Sequence, residues 1–121
     1  MSLVAYKLLH VAGVFFLFAA IGGSILANRE GAAGAAARKL TGITHGLALL
    51  LIAFAGFGAL AKLGLTSAGI PGWVWGEVVI WLLLGAAPFV LRKKPSLGVL
   101  FWWLLPLLGA VAAWLALYKP V

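Results

Sequence analysis

Residues 6–27, YKLLHVAGVFFLFAAIGGSILA, decide the fold of this chain. The stretch carries no charge after its first turns, and about 20 apolar residues in a helix cross the ~30 Å hydrocarbon core of a bilayer. The run is too long for a secretory signal peptide, and no basic segment precedes it. We therefore expect a first transmembrane helix over residues 3–27.

The amino-acid composition indicates that the whole chain, and not only its first segment, lies in a membrane. Of its 121 residues, 65% are hydrophobic and 9% are charged, too few to cover a soluble domain with polar surface. Further apolar runs cover residues 39–61, 73–91 and 97–118, and the connections between them are short. We therefore predict one integral membrane domain over residues 1–121, an all-α membrane protein built as an antiparallel four-transmembrane-helix bundle with the lipid bilayer as partner.

The basic residues report on orientation rather than on nucleic acid. A net charge of +7 suggests a nucleic-acid partner in a soluble protein, but here the charges cluster between apolar runs, so none is expected. Six of them lie in the first and third loops: Arg29, Arg38, Lys39, Arg92, Lys93 and Lys94. Three lie at the other side: Lys7, Lys62 and Lys119. This excess predicts cytoplasmic first and third loops, with both termini outside.

Small residues and prolines indicate how the helices pack. Gly42-xxx-Gly46 forms a GxxxG pair, a pattern that lets helix backbones approach closely in lipid. Pro88 and Pro106 each remove one helical hydrogen bond, which predicts kinks in the third and fourth helices. The chain has no cysteine, so disulfides and cysteine-ligated metal sites are excluded, and no metal site is predicted.

The two histidines suggest a haem with two axial ligands, His10 and His45. In the predicted helices, however, His10 lies toward the outer face and His45 toward the inner face, about 15 Å apart along the membrane normal. Ligands of one iron are only ~4 Å apart, so a haem between these two residues is not expected. Each histidine remains a candidate ligand for a separate cofactor. The alternative for His45 is a hydrogen bond to a carbonyl or hydroxyl of another helix.

Glu77 is the partner that depth favours for His10. Both lie near the outer end of their helices, Lys7 is one turn from His10 on the same face, and Trp81 is one turn below Glu77. We therefore predict a polar cluster of Lys7, His10, Glu77 and Trp81. Its functional interpretation is a site for a proton, a quinone headgroup or a tetrapyrrole. Its structural interpretation is a contact that holds the first helix to the third.

Two short segments resemble known families of small bacterial inner-membrane proteins. The sequence Lys7-Leu8-Leu9-His10 and the segment PGWVWGE at residues 71–77 resemble HemJ-type proteins, which are linked to protoporphyrinogen oxidation. Thr44-His45-Gly46 is similar to SirB-type four-helix proteins. Glu77 stands where the HemJ-type family has a lysine, and the aspartate that neighbours the SirB-type histidine is absent. The resemblance implies a histidine-bearing four-helix protein of the bacterial inner membrane.

Two functions follow from these observations. The first is a tetrapyrrole-, quinone- or proton-handling component of a redox assembly, with haem as a candidate cofactor. The alternative is a structural accessory subunit, associated with other membrane subunits or with copies of itself. The sequence shows no nucleotide-binding loop, no nucleophile beside a base and no metal-ligand cluster, so enzymatic activity is not predicted.

Overall fold

Four long helices make up the computed structural model, which describes residues 1–67 and 69–120. They are α1 (Leu3–Arg29), α2 (Ala35–Lys62), α3 (Gly72–Lys93) and α4 (Gly98–Tyr118), with short 3-10 turns at Gly31–Gly34 and Pro95–Leu97. Each helix, with its adjoining turn, is long and apolar enough to cross a membrane. The predicted all-α, four-helix class is confirmed, and the chain is a multi-pass membrane protein.

The connection between α1 and α2 is shorter than predicted from the sequence. Helix α2 begins at Ala35 rather than near residue 39, because the alanine-rich segment before Arg38 is a strong helix former. Arg38 closes the corner: its Nη1 donates to the carbonyls of Ala27 and Gly31. The guanidinium thereby gives the Ala27 carbonyl a second donor, beside the backbone N–H of Glu30 at 3.3 Å. The turn between α1 and α2 is thus a fixed corner rather than a flexible loop.

Glycines bring α1 and α2 together along most of their length. A Cβ added at Gly13 would lie 2.9 Å from Cγ1 of Ile52, and one at Gly23 would lie 2.7 Å from a methyl carbon of Thr41. These separations are shorter than van der Waals contact, so only glycine allows this approach of the two helices. The GxxxG pair behaves differently, because a Cβ at Gly42 or Gly46 would meet no atom within 4 Å. Within residues 1–67 and 69–120, that pair therefore does not pack against another helix.

The core lies where α1, α2 and α3 meet. Each of the three helices contributes buried side chains spaced three or four residues apart, as one face of a helix requires. The main cluster comprises Leu17, Ile21, Ile25, Ala48, Ile52, Ile80, Leu84, Ala87 and Leu91, with Leu105 from α4. A smaller cluster near the start of α3 contains Leu60, Trp73 and Val74.

Helix α4 packs differently from the other three. Only 6% of the most apolar window of its span is buried inside the protein, compared with 28–33% for the other spans. Its fully buried residues are Gly98 and Leu105, and one face of the helix packs partly buried side chains against the core: Phe101, Leu108, Ala112 and Leu115. Pro106 lies inside α4, as Pro88 lies inside α3. Most of the α4 surface is therefore left to lipid or to another protein.

Candidate functional site

His45 and Pro88 form the most specific polar arrangement inside the membrane. Proline has no backbone N–H, so Pro88 cannot donate to the carbonyl of Leu84, its acceptor in a regular α-helix. In the structure, Nε2 of His45 lies 2.9 Å from this Leu84 oxygen. A carbonyl only accepts, so Nε2 carries the hydrogen and donates it. His45 thus satisfies a carbonyl that has no donor from its own helix.

A second bond runs in the opposite direction between the same two helices. Nε1 of Trp81, on α3, donates to the carbonyl of Leu49 on α2 at 3.1 Å. His45 and Leu49 are one turn apart on α2, and Trp81 and Leu84 are about one turn apart on α3. The two bonds therefore form a reciprocal pair, which fixes the register of α2 against α3. His45 therefore makes the hydrogen bond to a carbonyl of another helix that was the alternative to a ligand role.

His10 is directed to α2 in the same way. Its Nδ1 lies 3.1 Å from the carbonyl oxygen of Ile52. A Cβ added at Gly56 would come within 3.2 Å of the imidazole Cε1, so this glycine makes room for the ring. Tyr6, one turn before His10, packs its ring on Gly58. One face of α1 therefore places its aromatic and imidazole rings on two glycines of α2.

The predicted cluster of Lys7, His10, Glu77 and Trp81 is not joined by hydrogen bonds or ion pairs within residues 1–67 and 69–120. His10 and Trp81 both bond to α2, and Lys7 is exposed. The predicted cluster rested on equal depth in the membrane. Equal depth does not specify which way each helix is rotated about its axis, so it does not show which side chains meet. The expectation that Glu77 pairs with His10 stays a prediction without a contact to support it.

The structure brings Glu77 close to the end of α4 instead. Gly76, the residue before Glu77, packs against Leu115 of α4, and Lys119 directly follows the end of that helix. The Lys119 ammonium lies 5.3 Å from the centroid of the Trp73 ring, within the range of a cation–π contact, and also donates to the carbonyl of Ala116.

The two histidines lie too far apart to share a metal. His10 bonds at the level of Ile52, which is seven residues beyond His45 on α2 and thus about 10 Å away along the helix. Two ligands of one iron are only about 4 Å apart. Each imidazole has one nitrogen held by a backbone carbonyl, an orientation that ligating histidines also show. A cofactor would therefore have one histidine of this chain as ligand, not two.

A cleft also opens beside His45. It has a volume of about 320 Å³ and lies between the first turns of α2 and the last turns of α3. Its wall includes Arg38, Lys39 and Arg92, three of the basic residues whose distribution predicts the orientation in the membrane. A charge count along the chain does not show that basic residues from two separate loops converge. For His45, by contrast, the sequence contains a signal: Pro88 identifies the Leu84 carbonyl as one that needs a donor from another helix.

Comparison with protein-family models, with curated proteins and with solved structures gave no match to this chain.

Proposed function

We propose that this chain is an accessory subunit of a larger membrane assembly, with α4 as the helix that docks against its partner. The uneven burial of the helices supports this proposal most directly, since the α4 span is 6% buried and the others 28–33%. The exposed surface of α4 includes Trp102, Trp103 and Trp114. Tryptophan is enriched where proteins associate, because its large ring buries much area.

The hydrogen bonds of the polar side chains within the bundle are consistent with the role of an accessory subunit. His10, His45 and Trp81 each direct a ring nitrogen to a backbone carbonyl of a neighbouring helix. Hydrogen bonds of this kind hold transmembrane helices together. They give the three-helix core of α1, α2 and α3 a defined arrangement, against which α4 can present a fixed surface to a partner.

The absence of cysteine makes this proposal testable by single-cysteine crosslinking. Leu107 on α4 is 63% exposed and Leu50 on α2 is 68% exposed, so the two are matched in residue type and exposure. In native membranes, Leu107→Cys carrying a photoactivatable maleimide should give a discrete adduct of higher mass, and Leu50→Cys should not. Adducts of equal yield at both positions, or none at Leu107→Cys, would contradict docking through α4. An adduct at twice 12.6 kDa would identify the partner as a second copy.

The second candidate is the binding of a tetrapyrrole or quinone through one histidine. The observation in its favour is the imidazole geometry, since each ring has one N–H held by a carbonyl and its other nitrogen free of a hydrogen bond to the described residues. The resemblance to HemJ-type proteins points to the same chemistry. Haemin added to the purified protein should then give a Soret band that is lost in either His10→Ala or His45→Ala. A spectrum unchanged by both substitutions would rule out this candidate.

We also propose that the chain lies in a bacterial inner membrane with its first and third loops in the cytoplasm. The distribution of basic residues supports this orientation. A cysteine introduced at Ala33 should then be protected from a membrane-impermeant maleimide in intact cells, whereas one at Thr66 should be labelled. The reverse pattern would invert the proposed orientation.

A further inference from the structure

The cleft beside His45 joins two kinds of surface. At its mouth are the side chains of Arg38 and Lys39 from α2 and Arg92 from α3. Ile43 and Phe89, which are 55% and 66% exposed, supply its apolar lining, and the buried His45 ring lies beside them. Arg38 and His45 are seven residues apart on α2, so the cleft runs roughly 10 Å from a basic rim into the apolar region.

The three cations at the mouth have no carboxylate to neutralise them. The chain has only two acidic residues, Glu30 and Glu77, and neither is among the described residues that line the cleft. The orientation rule requires basic residues on one side of the membrane, but it does not require them to converge on one cavity. Three unneutralised cations around one cleft create a positive potential that favours an anion.

Arg38 is held in place before any ligand arrives. Its Nη1 is bound to the carbonyls of Ala27 and Gly31, which leaves the N–H groups on Nη2 and Nε for other acceptors. A guanidinium that is already ordered loses less side-chain entropy when it binds. Its planar fork also matches the oxygen atoms of a phosphate, to which arginine binds in a bidentate manner.

We propose that this cleft binds a phosphate group, with Arg38, Lys39 and Arg92 around its oxygen atoms. The volume of about 320 Å³ is at the lower end of ligand pockets and suits a headgroup-sized molecule. The apolar walls formed by Ile43 and Phe89 suit the first carbons of an acyl chain. The phosphate can belong to an anionic phospholipid or to a soluble phosphate ester. The proposal does not depend on the docking role of α4.

Two variants and their matched controls test the site. Lys39→Gln with Arg92→Gln removes two charges from the cleft, and Lys93→Gln with Lys94→Gln removes two charges from the same end of the protein without touching its lining. Gly42→Leu fills the cleft without changing charge, because a Cβ there meets no atom within 4 Å. Gly46→Leu is the control, since it is equally open but does not line the cleft.

The measurement is native mass spectrometry of protein released from bilayer nanodiscs. In discs containing phosphatidylglycerol, the unmodified protein should retain one lipid molecule. Retention should fall on the order of tenfold or more in the cleft double variant and in Gly42→Leu, and should persist in both controls. In phosphatidylcholine discs with added glycerol phosphate, retention of the soluble ester instead would assign the same site to a soluble ligand. Equal retention in Gly42→Leu and Gly46→Leu, or retention of neither ligand, would overturn the proposal.

Discussion

His45→Ala should destabilise the protein by about 2–4 kcal/mol, measured as the free energy of unfolding in bicelles. The substitution removes a buried side chain, 5% exposed, and leaves the Leu84 carbonyl without its donor. Since Pro88 supplies no N–H, no backbone group replaces the lost partner in a regular helix. Because the carbonyl also lacks its helical donor, the loss should be larger than that of an ordinary interhelical bond.

His10→Ala is the matched control for this result. It removes the same ring and the same kind of bond, but the Ile52 carbonyl keeps its helical donor, the N–H of Gly56, because α2 contains no proline. We therefore expect a smaller loss, of about 1 kcal/mol. In addition, Pro88→Ala restores an N–H to Leu84, so His45→Ala should cost about 1 kcal/mol less in that background. An identical cost of His45→Ala with and without Pro88 would contradict the link between these residues.

Gly13→Leu should have an effect of similar or larger size, about 3 kcal/mol or more. A Cβ at Gly13 would lie 2.9 Å from the Ile52 side chain, 3.4 Å from the Ile52 amide nitrogen and 3.5 Å from the Ala48 carbonyl. Two of these atoms belong to the backbone of α2, so the larger side chain cannot be accommodated by a rotamer change. The helices must separate, which also weakens the bond from His10 to Ile52.

Gly46→Leu provides the comparison at a helical glycine without neighbours. A Cβ there meets nothing within 4 Å, and leucine has a helix propensity close to 1 kcal/mol better than glycine. The unfolding free energy of this variant should stay the same or rise. If Gly13→Leu and Gly46→Leu destabilised the protein equally, close packing of α1 on α2 would not be the cause.

The four spans could be predicted from sequence because hydrophobic length is a direct physical requirement of the bilayer. The rotation of each helix about its axis could not, since these helices are apolar on all sides and their sequences show no preferred face. That is why the equal depth of His10 and Glu77 suggested a pair, whereas the structure turns His10 toward α2.

Some signals for the correct arrangement were present in the sequence. Tyr6 and His10 are one turn apart on α1, and two glycines on α2, Gly56 and Gly58, are the residues on which their rings pack. Pro88 likewise identifies Leu84 as a carbonyl that needs a donor from elsewhere. What the sequence lacked was the pairing of these sites, because the contact between a ring and a glycine depends on how two helices are placed relative to each other.

The fixed corner formed by Arg38 has a consequence for synthesis. Because the contacts that join α1 to α2 involve only residues up to Lys62, the first hairpin can assemble while the second half of the chain is still being translated. The Nε2–H group of His45 is then already in place on the hairpin, and it donates to the Leu84 carbonyl when α3 packs against the hairpin. Biogenesis would accordingly proceed in three stages: formation of the helical hairpin, docking of α3, and addition of α4.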